Sequence, residues 1–283
     1  MNARKIFFSK KHRLRALWRI LIFSGALILG LSPLLLVNNS YIQFLGAVSI
    51  LIFGLVLNSK YLDKLGFSDY GLILKKETFV QIVIGIIIGF ISVIMILYIG
   101  VSTDILLVTK VESTIKIATL LFATKMLLVS IFEETFYRGY LFTTIYDGFK
   151  SRRRSNKLAV ISALIMSSTA FGIAHFANSH ASFISILFLS INGVIWCIPF
   201  IITKNLGLSI GLHTAWNFTQ TQIGFTMSGN QAVNSFYKIE NNGSKLLTGG
   251  EYGPEAGVLG LLGFIIMLRL SLAYLNLKHR MST

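Results

Sequence analysis

Charge is scarce in this chain, and negative charge most of all. Only 13% of its 283 residues are charged, and 11 of them are Asp or Glu. A soluble domain carries roughly a quarter charged residues, because its surface must face water. So thin a complement excludes an ordinary soluble surface and points to an apolar surrounding, lipid first. Cysteine is nearly absent too. Cys197 stands alone in an apolar run, which excludes an internal disulfide and leaves a small buried hydrophobe. Proline occurs three times, with Pro254 just before the last apolar run. No internal repeat, low-complexity tract or separate soluble domain is present. Several familiar catalytic signatures are missing as well: there is no Gly-x-Ser-x-Gly, no His-Glu-x-x-His and no pair of intramembrane aspartates.

What is there is apolar length. Hydrophobic residues make up 54% of the chain, with a mean hydropathy of +0.71. Runs fall at about 20–37, 41–58, 79–101, 117–146, 158–177, 182–203, 206–228 and 255–275. Each is near the ~20 residues that an α-helix needs to cross the hydrocarbon layer. The first run ends in LLLVNNSY, without the small-residue cleavage site of a secretory signal, and reads as an uncleaved span. The fold class is therefore all-α, a polytopic membrane protein of about eight transmembrane helices.

The net charge of +15 would suit a nucleic-acid binder in a soluble protein. Here the distribution argues against nucleic acid, since no recognition motif occurs and the cations fill alternate short segments. Seven Lys or Arg lie in 1–19, and others cluster at Lys60, Lys64, Lys75 and Lys76 and from Lys150 to Lys157. With Lys204, Lys278 and Arg280 these make 19, against four (Lys110, Lys116, Lys238 and Lys245) in the intervening segments. Such a bias predicts N- and C-termini on the cytoplasmic side of a multi-pass protein in the cell membrane. The basic inner loops would attract anionic lipid headgroups. Segment 60–78 reads either as an amphipathic piece along the interface or as an ordinary inner loop, and outer loop 229–254 as irregular. Aromatic residues near span ends, among them Trp18, Tyr41 and Tyr274, read as interface anchors. Lys125 and Arg269 read as snorkelling or paired cations, and His180 as a turn residue.

Nine of the acidic residues fall in loops or at span ends. Glu133 and Glu134 do not, and His175 and His213 also lie within apolar runs. A charge at mid-bilayer costs roughly 2.5–3.5 kcal/mol on insertion scales, so an intramembrane ionisable group is a functional hypothesis by default. Helical spacing sorts these groups. Glu134 and Arg138 are four apart and share a face, while Glu133 is turned by about 100° from Glu134 and is free to point elsewhere. His213 and Asn217 are also four apart, as are Phe171 and His175. The small residues Gly172, Ala174, Gly211 and Ala215 would let helices approach closely. Glu133 and His175 lie equally far from the basic loop at Arg154 and fall at similar depth. His213 is only nine residues past Lys204, so either the 203–206 turn sinks into the protein or the site tilts. A desolvated carboxylate can act as general base on water, with His and Asn donors for the oxyanion. Alternatively zinc held through His175, His213 and Glu133 would lower the pKa of a bound water.

EETFYR at 133–138, FGIAH at 171–175 and HTAWN at 213–217 spell Glu-Glu-x-x-x-Arg, Phe-x-x-x-His and His-x-x-x-Asn. In that order, on separate spans, they resemble the CPBP family of intramembrane proteases. That family includes the type II CAAX prenyl proteases and bacterial relatives linked to bacteriocin immunity and peptide maturation. The resemblance covers roughly 114–275, with GGEYGP at 249–254 also family-like. It divides the chain into a basic tail (1–19), N-terminal helices (20–113), a protease core (114–275) and a short tail (276–283). It implies that Glu133 activates the attacking water, that Glu134 and Arg138 orient the site, that His175 holds the water or a metal, and that His213 and Asn217 stabilise the oxyanion. The expected function is an intramembrane endopeptidase acting on membrane-associated or lipidated peptides, near the cytoplasmic half of the bilayer. The alternative is a non-catalytic membrane scaffold or a transporter, although the two matching halves expected of many transporters are absent.

Overall fold

Long helices follow where apolar runs are bounded by capping residues. The structure, a computed structural model, describes residues 6–9, 13–111, 117–150, 155–231 and 234–282. Arg4, Lys5, Lys10, Lys11, Lys116 and Arg152–Arg154, all counted in the charge bias, lie outside those residues, as does His12. Helix α1 spans Ala16–Leu31 and runs on through a 3-10 turn, Ser32–Leu36. Helix α2, Ser40–Asn58, is capped by Asn39, whose side chain accepts from the Tyr41 and Ile42 amides. Helix α3 spans Lys76–Ser102. Helix α4, Ile117–Glu134, continues through a π-helical stretch, Thr135–Phe142, into α5, Thr143–Phe149. Then come α6 (Asn156–Ala174), α7 (Phe183–Thr203), α8 (Gly207–Gln222), the short α9 (Lys245–Thr248) and α10 (Val258–Ser282).

Among the described residues, six stretches are long and apolar enough to cross a membrane: those of α1, α2, α3, α6, α7 and α10. The other two expected spans, α4–α5 and α8, carry Glu133, Glu134, Arg138, His213 and Asn217. Polar residues interrupt the first, and the second is only 16 residues long. Large apolar side chains such as Leu29, Phe53, Tyr98 and Phe183 stand exposed on the outside. That is the inverse of a soluble surface and suits a membrane-embedded protein.

The connections gather at two ends. One end, here called the basic end, joins the start of α1, segment 59–78, the end of α5, the 203–206 turn and the end of α10. Lys278 pairs with Glu77 there, and Asn205 donates to Thr78 at 2.7 Å. At the opposite end, β1 (Leu106–Lys110) and β2 (Tyr237–Asn241) pair antiparallel, with Leu106 opposite Asn241. The 229–254 loop is thus more ordered than expected, because β2 finds a partner strand in the 102–116 connection. We call this the sheet end.

Helix α8 is the centre of the molecule, with every residue but Phe218 buried. Glycines let α3 approach it at backbone distance. A Cβ on Gly85 would lie 2.6 Å from the Leu208 carbonyl, and one on Gly89 would lie 2.9 Å from that of Leu212. The start of α8 is drawn inward. Leu206 is buried and donates its amide to the Gly71 carbonyl at 3.1 Å, so the 203–206 turn sinks beneath segment 59–75. That resolves the depth mismatch of His213.

Segment 59–78 is neither an interfacial helix nor a plain loop. It is folded into the core by a buried ion pair. Arg19 bonds Asp63 and, at 2.8 Å, Asp147, while Asp63 also accepts from Asn58, Tyr70 and Thr144. Arg19, read as part of the basic tail, therefore lies inside α1 and is 1% exposed. Asp63, read as a loop acid, is fully buried. Burying either charge alone would cost several kcal/mol, so the two are held together.

Gly85→Ala is expected to lower the thermal midpoint in detergent, because the added methyl meets backbone. Gly25→Ala, which meets nothing within 4 Å, is expected to leave it unchanged or to raise it slightly. Equal midpoints for the two variants would contradict the close α3–α8 contact.

Candidate active site

The site is built from α4 and its π-helical extension, the end of α6, the middle of α7 and the middle of α8. Glu134, fully buried, is its pivot. Its Oε1 accepts from Arg138 Nη1 at 3.0 Å and lies 2.8 Å from His213 Nδ1. A carboxylate can only accept, so this His nitrogen carries the proton and Nε2 faces the other way. The ring is clamped further by Trp196, stacked at 4.2 Å between centroids, with Phe171 edge-on at 6.2 Å. Arg138 is in turn held by Phe171, 4.3 Å below its guanidinium, and by the Gly193 carbonyl at 3.4 Å. The π-helical stretch brings Arg138 there; its wide turns recur at functional sites in helices. Gly139 within it passes so close to the Tyr70 carbonyl that a Cβ would approach to 2.7 Å.

Glu133 points away from this pair, as the rotation predicted. Its side chain is 22% exposed, and its Oε2 lies 3.8 Å from His213 Nε2. That separation is too long for a direct hydrogen bond, and among the described residues this buried oxygen has no hydrogen-bond partner. Glu133 and His213 both line a cavity of about 810 Å³, which Phe171, His175 and Asn217 also line. His175 terminates α6 just after Ala174, and its Nδ1 donates to the Phe171 carbonyl at 2.8 Å, which turns Nε2 outward. Asn217, 7% exposed, stands one turn beyond His213 on α8. Glu133, His175, His213 and Asn217 thus share one cavity, while Glu134 and Arg138 stand behind it.

Two further residues, Glu255 and Trp196, belong to this wall and were not singled out from the sequence. Glu255, read as a loop acid, is 2% exposed and lines the same cavity. Its carboxylate accepts from Trp216 Nε1 at 3.2 Å and from the amide and hydroxyl of Ser228 at 2.8 and 2.7 Å. Burial raises its pKa above the ordinary carboxylate value, against the lowering effect of the Ser228 donors and of nearby His175. Burial likewise pushes up the Tyr252 hydroxyl beside it. The signal for Glu255 was its setting in GPEAG: Gly253, at φ 106°, turns the chain inward, and the small neighbours leave that acid room to be packed inside. Trp196 gave no signal beyond its apolar run. Lys125 and Tyr41 line the cavity too; Lys125 lies 5.6 Å from the ring of Phe44. His180 is an exposed turn residue at φ 59°, paired with Glu251.

Among the described residues, no group of three His, Cys, Asp or Glu side chains comes together to hold a metal ion, while the bond from His213 Nδ1 to Glu134 leaves Nε2 as the ring nitrogen toward Glu133.

Residues 115–219 match a known family model, type II CAAX prenyl endopeptidase Rce1-like. No curated protein and no solved structure matches the chain. The matched segment contains all seven residues of the three motifs and ends before Glu255. Proteins of the Rce1-like family are generally intramembrane proteases.

Arg138→Ala leaves the Glu134 charge buried beside His213 alone and is expected to destabilise the protein by about 3–5 kcal/mol. Adding Glu134→Ala should recover part of that loss, since the orphaned charge is gone. Denaturant unfolding in detergent measures both, and strictly additive losses would contradict the coupling.

Proposed function

We propose that the chain is an intramembrane endopeptidase of the cell membrane, hydrolysing a peptide bond of a membrane-associated or lipidated polypeptide by a glutamate-activated water. One observation carries this reading: a buried, unpartnered Glu133 oxygen faces His213 Nε2 across 3.8 Å, inside a cavity, while Glu134 holds the far side of the ring. A gap of that kind between two polar groups suits a bridging water.

Glu133 takes a proton from that water as the water oxygen bonds to the scissile carbonyl carbon. The carbonyl oxygen becomes an oxyanion, which accepts from the Asn217 carboxamide with the His213 ring beside it. Glu134 fixes that ring through Nδ1, and Arg138 keeps Glu134 in place. His175 Nε2 orients the water. When the C–N bond breaks, Glu133 returns its proton to the leaving amine, so the cycle balances with one water consumed. The proposed steps run through side chains and water alone.

Glu133→Gln preserves shape and removes the base. We expect a ~10²–10⁴-fold loss of peptide hydrolysis, the usual worth of a general base, with folded yield unchanged. Asn217→Ala should cost ~10²–10³-fold in kcat, the scale for one oxyanion donor. A metal chelator should leave hydrolysis intact. Comparing membrane peptides between cells with wild type and Glu133→Gln checks the first point. A variant that supports every phenotype of the wild type would favour the scaffold alternative.

A further inference from the structure

The residues lining the cavity reach one end of the bundle. The rim of the cavity is made by Tyr41 at the start of α2, Thr119 at the start of α4, Asn178 beyond α6, and Ser228 and Asn230 beyond α8. All of these belong to the sheet end. Ser228 and Asn178 are themselves linked across it, the Asn178 amide donating to the Ser228 carbonyl at 3.1 Å. None of the lining residues comes from segment 59–78, from α5 or from the 203–206 turn. The basic end is closed by the Arg19–Asp63–Asp147 cluster and by the sunken turn beneath Gly71. Yet, counted over the whole sequence, the segments between apolar runs that connect at this end carry 19 of the 23 Lys and Arg outside those runs. A bias of that size over short connections sets the cytoplasmic side of a multi-pass protein.

We infer that the active site opens to the face of the membrane opposite the cytoplasm, and that its substrate is a polypeptide presented from that outer face. This rests on the proteolytic reading for the substrate, though not for the direction of opening. It replaces the expectation of cleavage near the cytoplasmic half of the bilayer. The rim fits such a substrate. One flank is apolar and aromatic, with Tyr41, Phe44 and Phe122, and the other carries the amides of Asn178 and Asn230. An exported, amphipathic peptide lying at the outer interface can set apolar side chains against the first flank and hydrogen-bond its backbone along the second. A peptide confined to the cytoplasm meets only the closed end.

Cysteine labelling tests the direction. In a Cys197→Ser background, single Thr119→Cys and Asn230→Cys variants report the rim, and Ser68→Cys reports the basic end. A membrane-impermeant maleimide applied to intact cells should label the two rim variants and spare Ser68→Cys, with the pattern reversed on inside-out vesicles. Labelling of Ser68→Cys alone in intact cells would overturn the inference and leave the proteolytic reading standing. The substrate is tested by comparing peptides released to the medium by cells with wild type and with Glu133→Gln. A difference outside the cell supports the substrate class, and one confined to the cytosol overturns it. Outward labelling with no Glu133-dependent peptide on either side contradicts proteolysis and leaves the topology intact.

Discussion

A carboxylate with no exposure to solvent, accepting from a guanidinium on one side and an imidazole on the other, is the constraint around which this molecule is arranged. Glu134 would be costly in an apolar interior if unpartnered. Arg138 four residues on offsets its charge, and His213 ties it to the central helix. Because both partners are charged or chargeable, loosening any one leaves another buried and exposed to the full cost of desolvation. The packing obeys this. Trp196 and Phe171 are placed to hold the ring and the guanidinium, and the glycines of α3 let α8 come close enough to bring His213 to the carboxylate.

Fixing one side of the imidazole frees the other. With Nδ1 committed to Glu134, His213 Nε2 faces the cavity and the unpartnered oxygen of Glu133. The adjacent acids are thus separated by a rotation of one residue: Glu134 is buried against Arg138 and His213, and Glu133 is partly exposed in the cavity wall. A second buried ion pair, Arg19 with Asp63, closes the opposite end. The two polar centres therefore have opposite consequences, since one lines a cavity and the other seals the bundle against access from the basic side.

Much of this was legible in the sequence because charge is so rare in it. Glu133, Glu134, His175 and His213 stood out against apolar runs, and helical spacing correctly paired Glu134 with Arg138 and turned Glu133 elsewhere. What spacing could not reveal is long-range partnership. Arg19 looked like one more cation of a basic tail, and Asp63 and Glu255 looked like loop acids. Each is buried by contacts with residues far away in the chain. The depth of His213 was likewise ambiguous, since a turn sinks only if another segment covers it, and the cover comes from residues more than a hundred positions earlier. The strand 237–241 was hidden because its partner, 106–110, lies more than a hundred positions earlier in the chain.

The central claim is that Glu133 and His213 bracket one water in an otherwise apolar interior. An experimental structure in lipid nanodiscs, at a resolution that defines ordered water, measures this directly. The account predicts a water within hydrogen-bond reach of both Glu133 Oε2 and His213 Nε2, with Glu134 still on Nδ1. A Glu133 side chain turned into lipid, or a cation bound between the two residues in place of the water, would contradict it.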